Sequence, residues 1–213
     1  MSSPTQPTKQ SSLWRGEFGD AYIDRNSLTD SRLAALTVLW SQVLRGTIGA
    51  PPRSILEVGA NIGLNLRALR RLTDAEFYGV EPNQRARDVL VEDGVVESSR
   101  ALAGVSASIG LADATVDLVF TSGVLIHIHP DDLLASCREI HRVARRYIAC
   151  VEYFSDTPVE IPYRGRSEAL FKRDFGGFYL EHFPRLRVLD YGFAWKPLTG
   201  LDNLTWWLFE KPG

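Results

Sequence analysis

The stretch Ile55-Leu56-Glu57-Val58-Gly59-Ala60-Asn61-Ile62-Gly63 decides how this chain is read. Its first residues are a short apolar run of strand type. Gly59 and Gly63 then punctuate a tight turn that opens a helix. Glycine tolerates positive φ and lets backbone approach a ligand with no Cβ in between. The helix start adds N–H groups without backbone partners. Strand, glycine turn and helix in this order make a nucleotide-type ligand site at the carboxyl edge of a parallel sheet. The spelling is E-x-G-x-N-x-G. A nicotinamide enzyme usually shows G-x-G-x-x-G, a spacing not met across Ala60 and Ile62.

Working outward, strand-like and helix-like segments alternate, which predicts an α/β fold with a largely parallel sheet. Residues 13–46 read as helical, with Asn26 or Ser27 as cap and Leu33, Leu36, Trp40, Val43 and Leu44 on one face. Pro51-Pro52 separates them from the first strand. Helices are expected over 61–72, 83–93 and 131–143, and strands over 77–80, 101–106 (weak), 117–121 and 147–151. The pattern then changes. Residues 155–165 carry Pro158 and Pro162 and read as a loop, 168–183 as a helix weakened by Gly176-Gly177, and 186–191 with 204–210 as a terminal antiparallel hairpin. The expected organisation is a tail over 1–12 and one domain over 13–213. Within it, 13–50 form a helical cap and 152–183 a segment beside the substrate.

Composition excludes several classes. Lys and Arg total 24 against 26 Asp and Glu, a formal charge of −2. That is no basic excess for a nucleic-acid partner. Cys137 and Cys150 lack C-x-x-C spacing, and His127, His129, His141 and His182 show no H-E-x-x-H, so no metal site is expected. No apolar run is long enough to span a bilayer, and residues 1–12 lack the apolar core of a signal peptide. A cytoplasmic setting and a small-molecule partner, with no nucleic acid and no membrane, are expected.

Two further stretches complete a constellation. The second strand ends Gly79-Val80-Glu81-Pro82-Asn83, and Glu81 follows Gly63 by 18 residues, a gap filled by one helix and one strand. A carboxylate at that strand end accepts two hydroxyl hydrogen bonds from a ribose diol. The loop from Thr121 through Ser122 to Pro130 lies at the same edge and carries His127 and His129. His127 is either a general base or a packed histidine that satisfies backbone groups. His129, before a proline at a helix start, reads as structural.

With these residues in view, the chain resembles the class I S-adenosylmethionine (SAM) dependent methyltransferases, from about Trp14 to Lys211. It is most similar to the group called pseudaminic acid biosynthesis-associated methylases. The matching stretches are residues 14–26 (WRGEFGDAYIDRN), the glycine turn, 123–132 (GVLIHIHPDD), 157–165 (TPVEIPYRG) and 170–175 (LFKRDF). The resemblance implies a Rossmann-like, seven-stranded, mostly parallel sheet with helices on both faces and a C-terminal antiparallel hairpin. It also implies SAM as cofactor, with S-adenosylhomocysteine (SAH) as product.

The resemblance implies roles residue by residue. Glu57, Gly59, Ala60, Asn61 and Gly63 approach the methionine part of SAM, and Glu81 with Pro82 holds the ribose. Glu57 also reads as a buried acid bracing the turn, and Asn61 as a residue that tolerates a left-handed turn. Where the family usually carries an adenine-contacting acid stands Ala107-Ser108-Ile109. A serine replaces the acid, and the Ile109 N–H remains for an adenine nitrogen. Ser122 joins the cofactor side, and Arg25 is matched to the SAM carboxylate or is a surface arginine. Tyr22 and His127 are the catalytic candidates. Phe18, Tyr153, Tyr163 and Arg164 are candidates for the acceptor, with a cationic fork suited to carboxylate or phosphate; Lys172 and Arg173 are weaker ones. Trp14 and Phe18 also read as packing anchors. The expected reaction is methyl transfer to N or O of a small molecule, a nonulosonic sugar derivative or a natural-product intermediate. The chain shows no N-P-P-Y or D-P-P-Y of base-methylating enzymes. A SAM-binding protein without transfer, or a SAM enzyme of other chemistry, is the competing reading.

Overall fold

A computed structural model describes residues 14–26, 28–165, 167 and 169–212. The expected tail over 1–12, the alternative cap Ser27, and Arg166 and Glu168 lie outside the described residues. The described residues include two complete N-terminal helices, α1 (Glu17–Arg25) and α2 (Asp30–Arg45). They replace the single helical region expected. Thr29 is the cap of α2, its Oγ1 accepting from Arg32 N, while Asn26 closes α1.

The central sheet has seven strands in the order β3-β2-β1-β4-β5-β9-β8. Its strands are β1 (Ser54–Val58), β2 (Glu76–Val80), β3 (Ala101–Leu102), β4 (Val116–Ser122), β5 (Ala144–Glu152), β8 (Arg187–Ala194) and β9 (Leu204–Glu210). Pairing is parallel from β3 to β5 and antiparallel for β5–β9 and β9–β8. This is the Rossmann-like α/β architecture expected. The intervening helices are α3 (Leu64–Leu69), α4 (Gln84–Glu92), α5 (Pro130–Val143), α6 (Phe175–His182) and the short α7 (Lys196–Thr199). β1 is buried throughout, and its side chains alternate between the two faces. Ile55 joins a core with Leu36, Trp40, Leu66 and Leu90; Leu56 and Val58 join a core with Leu133, Ile140 and Phe175.

The chain runs outward from β1 to β2 and β3, then crosses back to β4 beside β1. The order reverses there, so the carboxyl ends of β1, β2, β4 and β5 frame a crevice. Several boundaries differ from expectation. α3 begins only at Leu64, because Gly63 sits in the left-handed region at φ 75°. The weak third strand shrinks to two residues. The expected loop contains β6 (Val159–Glu160), which pairs antiparallel with β7 (Phe171–Lys172) as a separate hairpin. α6 therefore starts at Phe175, capped by Asp174, whose Oδ1 accepts from Gly177 N at 2.8 Å. Gly176 is required by packing: a Cβ there would clash with the Trp207 indole. No described helix is long and apolar enough to cross a membrane.

Candidate active site

The glycine turn is built from three left-handed residues, Gly59 (φ 77°), Asn61 (φ 46°) and Gly63 (φ 75°). At Gly59 a Cβ would sit 2.6 Å from Val124 Cγ2, so only glycine lets the turn lie this close to the loop after β4. At Gly63 the same atom would press on Leu90 and Val95, so that glycine answers to helix packing. Asn61 bonds its own turn, with Oδ1 accepting from Ile62 N at 2.8 Å. Ala60 N, with Gly59 N, is tied to Val80 O and is thereby fixed against the end of β2.

Glu81 stands where the carboxyl end of β2 meets this turn. It is 6% exposed, and its two oxygens accept from Asn61 N at 2.8 Å and Asn83 N at 2.9 Å. Pro82 follows it, half-buried. Glu57 is 2% exposed. Its Oε1 accepts from Asn65 Nδ2 at 2.6 Å, and Asn65 Oδ1 in turn accepts from Trp40 Nε1 at 3.0 Å. Among the described residues no donor completes a hydrogen bond to the buried Glu57 Oε2. One oxygen thus braces the turn and the other is left without a partner. Burial pushes the Glu57 carboxyl up to about 8, eased by the Asn65 bond and worsened by the charge of Glu81. Burial raises Glu81 as well, against the pull of its two amide donors.

His127 ends a single 3₁₀ turn, Leu125–His127, and is 8% exposed. Its Nδ1 lies 2.6 Å from Ala169 O. A carbonyl only accepts, so Nδ1 carries the proton and Nε2 bears the lone pair. Burial lowers the His127 pKa, which keeps the ring neutral near pH 7. The turn is held from beneath by Glu152 at the end of β5. This carboxylate is fully buried and accepts from Val124 N at 3.2 Å, Leu125 N at 3.1 Å and, at 3.5 Å, Ile126 N. Three successive amides aimed at one anion form a nest that fixes the loop's path.

Aromatic rings surround His127. Trp14 and Tyr163 have centroids 5.1 Å from the imidazole, and Trp14 lies 5.2 Å from both Phe18 and Tyr22. Asn83 Nδ2 ties this N-terminal segment to the end of β2 through Trp14 O at 3.3 Å and Asp20 Oδ1 at 2.9 Å. Arg25 lies over the Phe18 and Tyr22 rings, and Arg164 over Tyr163. Arg164 holds φ 51°, a conformation that non-glycine residues avoid and that recurs at ligand clamps. Tyr153 donates to Asp202 Oδ2 at 2.7 Å, and Lys172 Nζ lies 5.1 Å from the Tyr153 ring.

The turn, Glu81, the His127 loop, Tyr22 and Phe18, and Tyr153, Tyr163 and Arg164 therefore meet at one sheet edge. Arg25 sits on ring faces rather than at the turn. Ser122 ends β4, paired with Val151. The adenine expectation needs correction. Ile109 N donates to Glu139 Oε1 at 3.1 Å, the Ile109 side chain is buried, and Ser108 N closes a turn onto Val105 O. Those amides are already engaged. Sequence reasoning missed Glu152, Asn65 and Asn83. For Glu152 a signal existed, an acid ending a buried strand as Glu81 does; for the two asparagines none did.

Residues 56–147 match the family described as Methyltransferase domain. Among solved structures it is similar to the Burkholderia thailandensis 1,6-didemethyltoxoflavin-N1-methyltransferase with bound 1,6-didemethyltoxoflavin and SAH. That likeness has TM-score 0.70 and 17% identity and covers 100% of this chain and 94% of that one. A SAM-dependent methyltransferase from Aquifex aeolicus gives TM-score 0.63 and 20% identity over 90% and 98% of the chains. Magnesium protoporphyrin IX methyltransferase from Synechocystis with bound SAM gives 0.66 and 9% over 98% and 100%. At these identities the likeness carries the fold. A search of curated proteins gave no match. The match and the fold are those of SAM-dependent methyltransferases.

The site of this methyltransferase fits a cationic cofactor. Glu57 and Glu81 are both buried, the charge of Glu81 raises the cost of ionising Glu57, and one buried oxygen of Glu57 has no partner among the described residues. A sulfonium and an ammonium in the crevice relieve both. The free methyltransferase carries a pH signature of this arrangement. Glu57 has an ordinary value of 4.5 when unfolded and about 8 when folded, so the folded state holds more protons between them. Stability then falls as pH rises through that window. The lowered pKa values of His127 and His141 act oppositely, but only below their ordinary 6.5. Thermal melts should therefore show falling stability from pH 6.5 to 8, and Glu57→Gln should flatten the slope. An equally steep slope in that variant would remove Glu57 as its source. Glu152, pushed up to about 7, accounts for part of any remainder.

Proposed function

We propose that this methyltransferase acts on a nitrogen or oxygen of a small-molecule acceptor, bound between α1, the His127 turn and the β6–β7 hairpin. The carrying observation is the neutral His127 with its Nε2 lone pair, ringed by Trp14 and Tyr163 at the sheet edge that holds Glu57, Gly59 and Glu81. Glu81 with Pro82 would hold the ribose, and Glu57, Gly59, Ala60, Asn61 and Gly63 the methionine part. Bound SAM supplies a methyl already made electrophilic by its sulfonium. The chain's own contribution is then alignment of acceptor against that methyl. His127 Nε2 takes the proton that an acceptor N–H or O–H gives up. Tyr22, half-buried beneath Arg25, lines the same space and orients the acceptor.

The acceptor class has two supports. Residues 14–26, 123–132, 157–165 and 170–175 resemble methylases associated with nonulosonic sugar synthesis. A structural neighbour holds 1,6-didemethyltoxoflavin, which supports a natural-product intermediate. Calorimetry with SAH tests the cofactor site, and transfer of isotope from methyl-labelled SAM tests the reaction. SAH binding with no labelled product from any small-molecule extract would leave a SAM-binding protein without transfer.

A further inference from the structure

Four rings at this sheet edge already carry a cation of the protein's own. Arg25 Cζ lies 5.9 Å from the Phe18 centroid and 5.6 Å from that of Tyr22; Arg164 Cζ lies 5.6 Å from Tyr163, and Lys172 Nζ 5.1 Å from Tyr153. An aromatic cage for a cationic ligand needs those faces free. Here they are taken, and a second cation would meet three like charges. None of the three has a carboxylate within ion-pair distance among the described residues, although twelve such contacts occur elsewhere. The nearby acids are committed. Asp24, which also feels Arg25, is bonded to Arg85 at 2.6 Å; Asp202 is held by Tyr153 and Lys196; Glu160 on β6 has an interaction of its own. A chain with formal charge −2 thus gathers at this edge three cations that have no carboxylate partner among the described residues. Their elements differ, α1, the turn after β6 and β7, so no single solvated helix face explains the cluster. The left-handed Arg164 adds backbone strain at the same rim.

We propose that the acceptor is an anion, anchored through a carboxylate or phosphate by Arg25, Arg164 and Lys172 while its apolar face lies on the Trp14 ring. Guanidinium groups match either anion in bidentate fashion, and rings pre-orient them at low entropic cost. The anchoring group is not the methylated atom, so the product keeps its negative charge. This inference rests on the methyltransferase reading above.

The experiment incubates the full chain with methyl-labelled SAM and the small-molecule fraction of a cell extract, then separates products by anion exchange. Label is expected in the retained fraction; phosphatase treatment releases it if the anchor is a phosphate monoester and leaves it retained if it is a carboxylate. The double variant Arg164→Gln, Lys172→Gln is expected to raise KM for that acceptor by about tenfold or more, with kcat and SAH affinity changed by less than about twofold. Label confined to the unretained fraction, or an unchanged KM, overturns the anionic acceptor. No labelled product from a protein that binds SAH removes the transfer reading instead, and failure to bind SAH removes the cofactor site, which separates these failures from that of the anionic acceptor.

Discussion

Glu81→Ala is expected to weaken SAH binding by about 10²-fold, as two charge-assisted hydrogen bonds to a ribose diol are lost. The substitution also strips the Asn61 and Asn83 amides of their acceptor at the mouth of the crevice. Glu81→Gln separates these effects. It keeps an oxygen for one amide but removes the charge, so its loss of affinity should be smaller while its melting temperature stays near wild type. Calorimetry with SAH is the measurement, since it needs no acceptor. An affinity within about twofold of wild type in a folded Glu81→Ala protein would end the ribose role.

The second large effect is on turnover. His127→Gln should lower kcat by about 10² to 10⁴, the usual contribution of a positioned general base. SAH affinity should barely change. Because burial lowers the His127 pKa, the acidic limb of the wild-type kcat/KM profile should lie below the ordinary histidine range, and the variant should lack it. Nitrogen NMR should find the neutral ring protonated at Nδ1, as the Ala169 carbonyl requires. Glu152→Gln acts through the same loop. It removes the charge that three successive amides share, so it should move the His127 resonances and lower kcat more than it raises KM. Unchanged kcat in His127→Gln would reduce the histidine to a packed side chain.

Much of this was legible in residues 55–63, because each feature there is local. A buried strand, glycines that must take positive φ and a helix start follow one another within nine residues, and Glu81 follows at the next strand end. The seven-stranded sheet was legible for the same reason, since alternation of strand and helix leaves few topologies. Where local pattern misled, tertiary contacts had overridden it. Gly176 looked like a helix breaker, yet it is the residue that lets α6 pass the Trp207 indole. Residues 155–165 looked like a loop because the pairing of β6 with β7 is made across a gap in sequence. The Ile109 amide looked available because its acceptor, Glu139, lies 30 residues away on α5.

The sequence by itself therefore determined the fold class, the glycine turn and the place of the acid beyond it, all set by backbone requirements that a few residues spell out. Only the tertiary structure decided which groups gather around His127. The tautomer of His127 depends on a carbonyl 42 residues away, its loop on a carboxylate from the next strand, and its surroundings on rings far before and after it in the chain, Trp14 and Tyr163. Hydrogen-bond direction and ring packing are properties of neighbours in space, and no spacing along the chain encodes them.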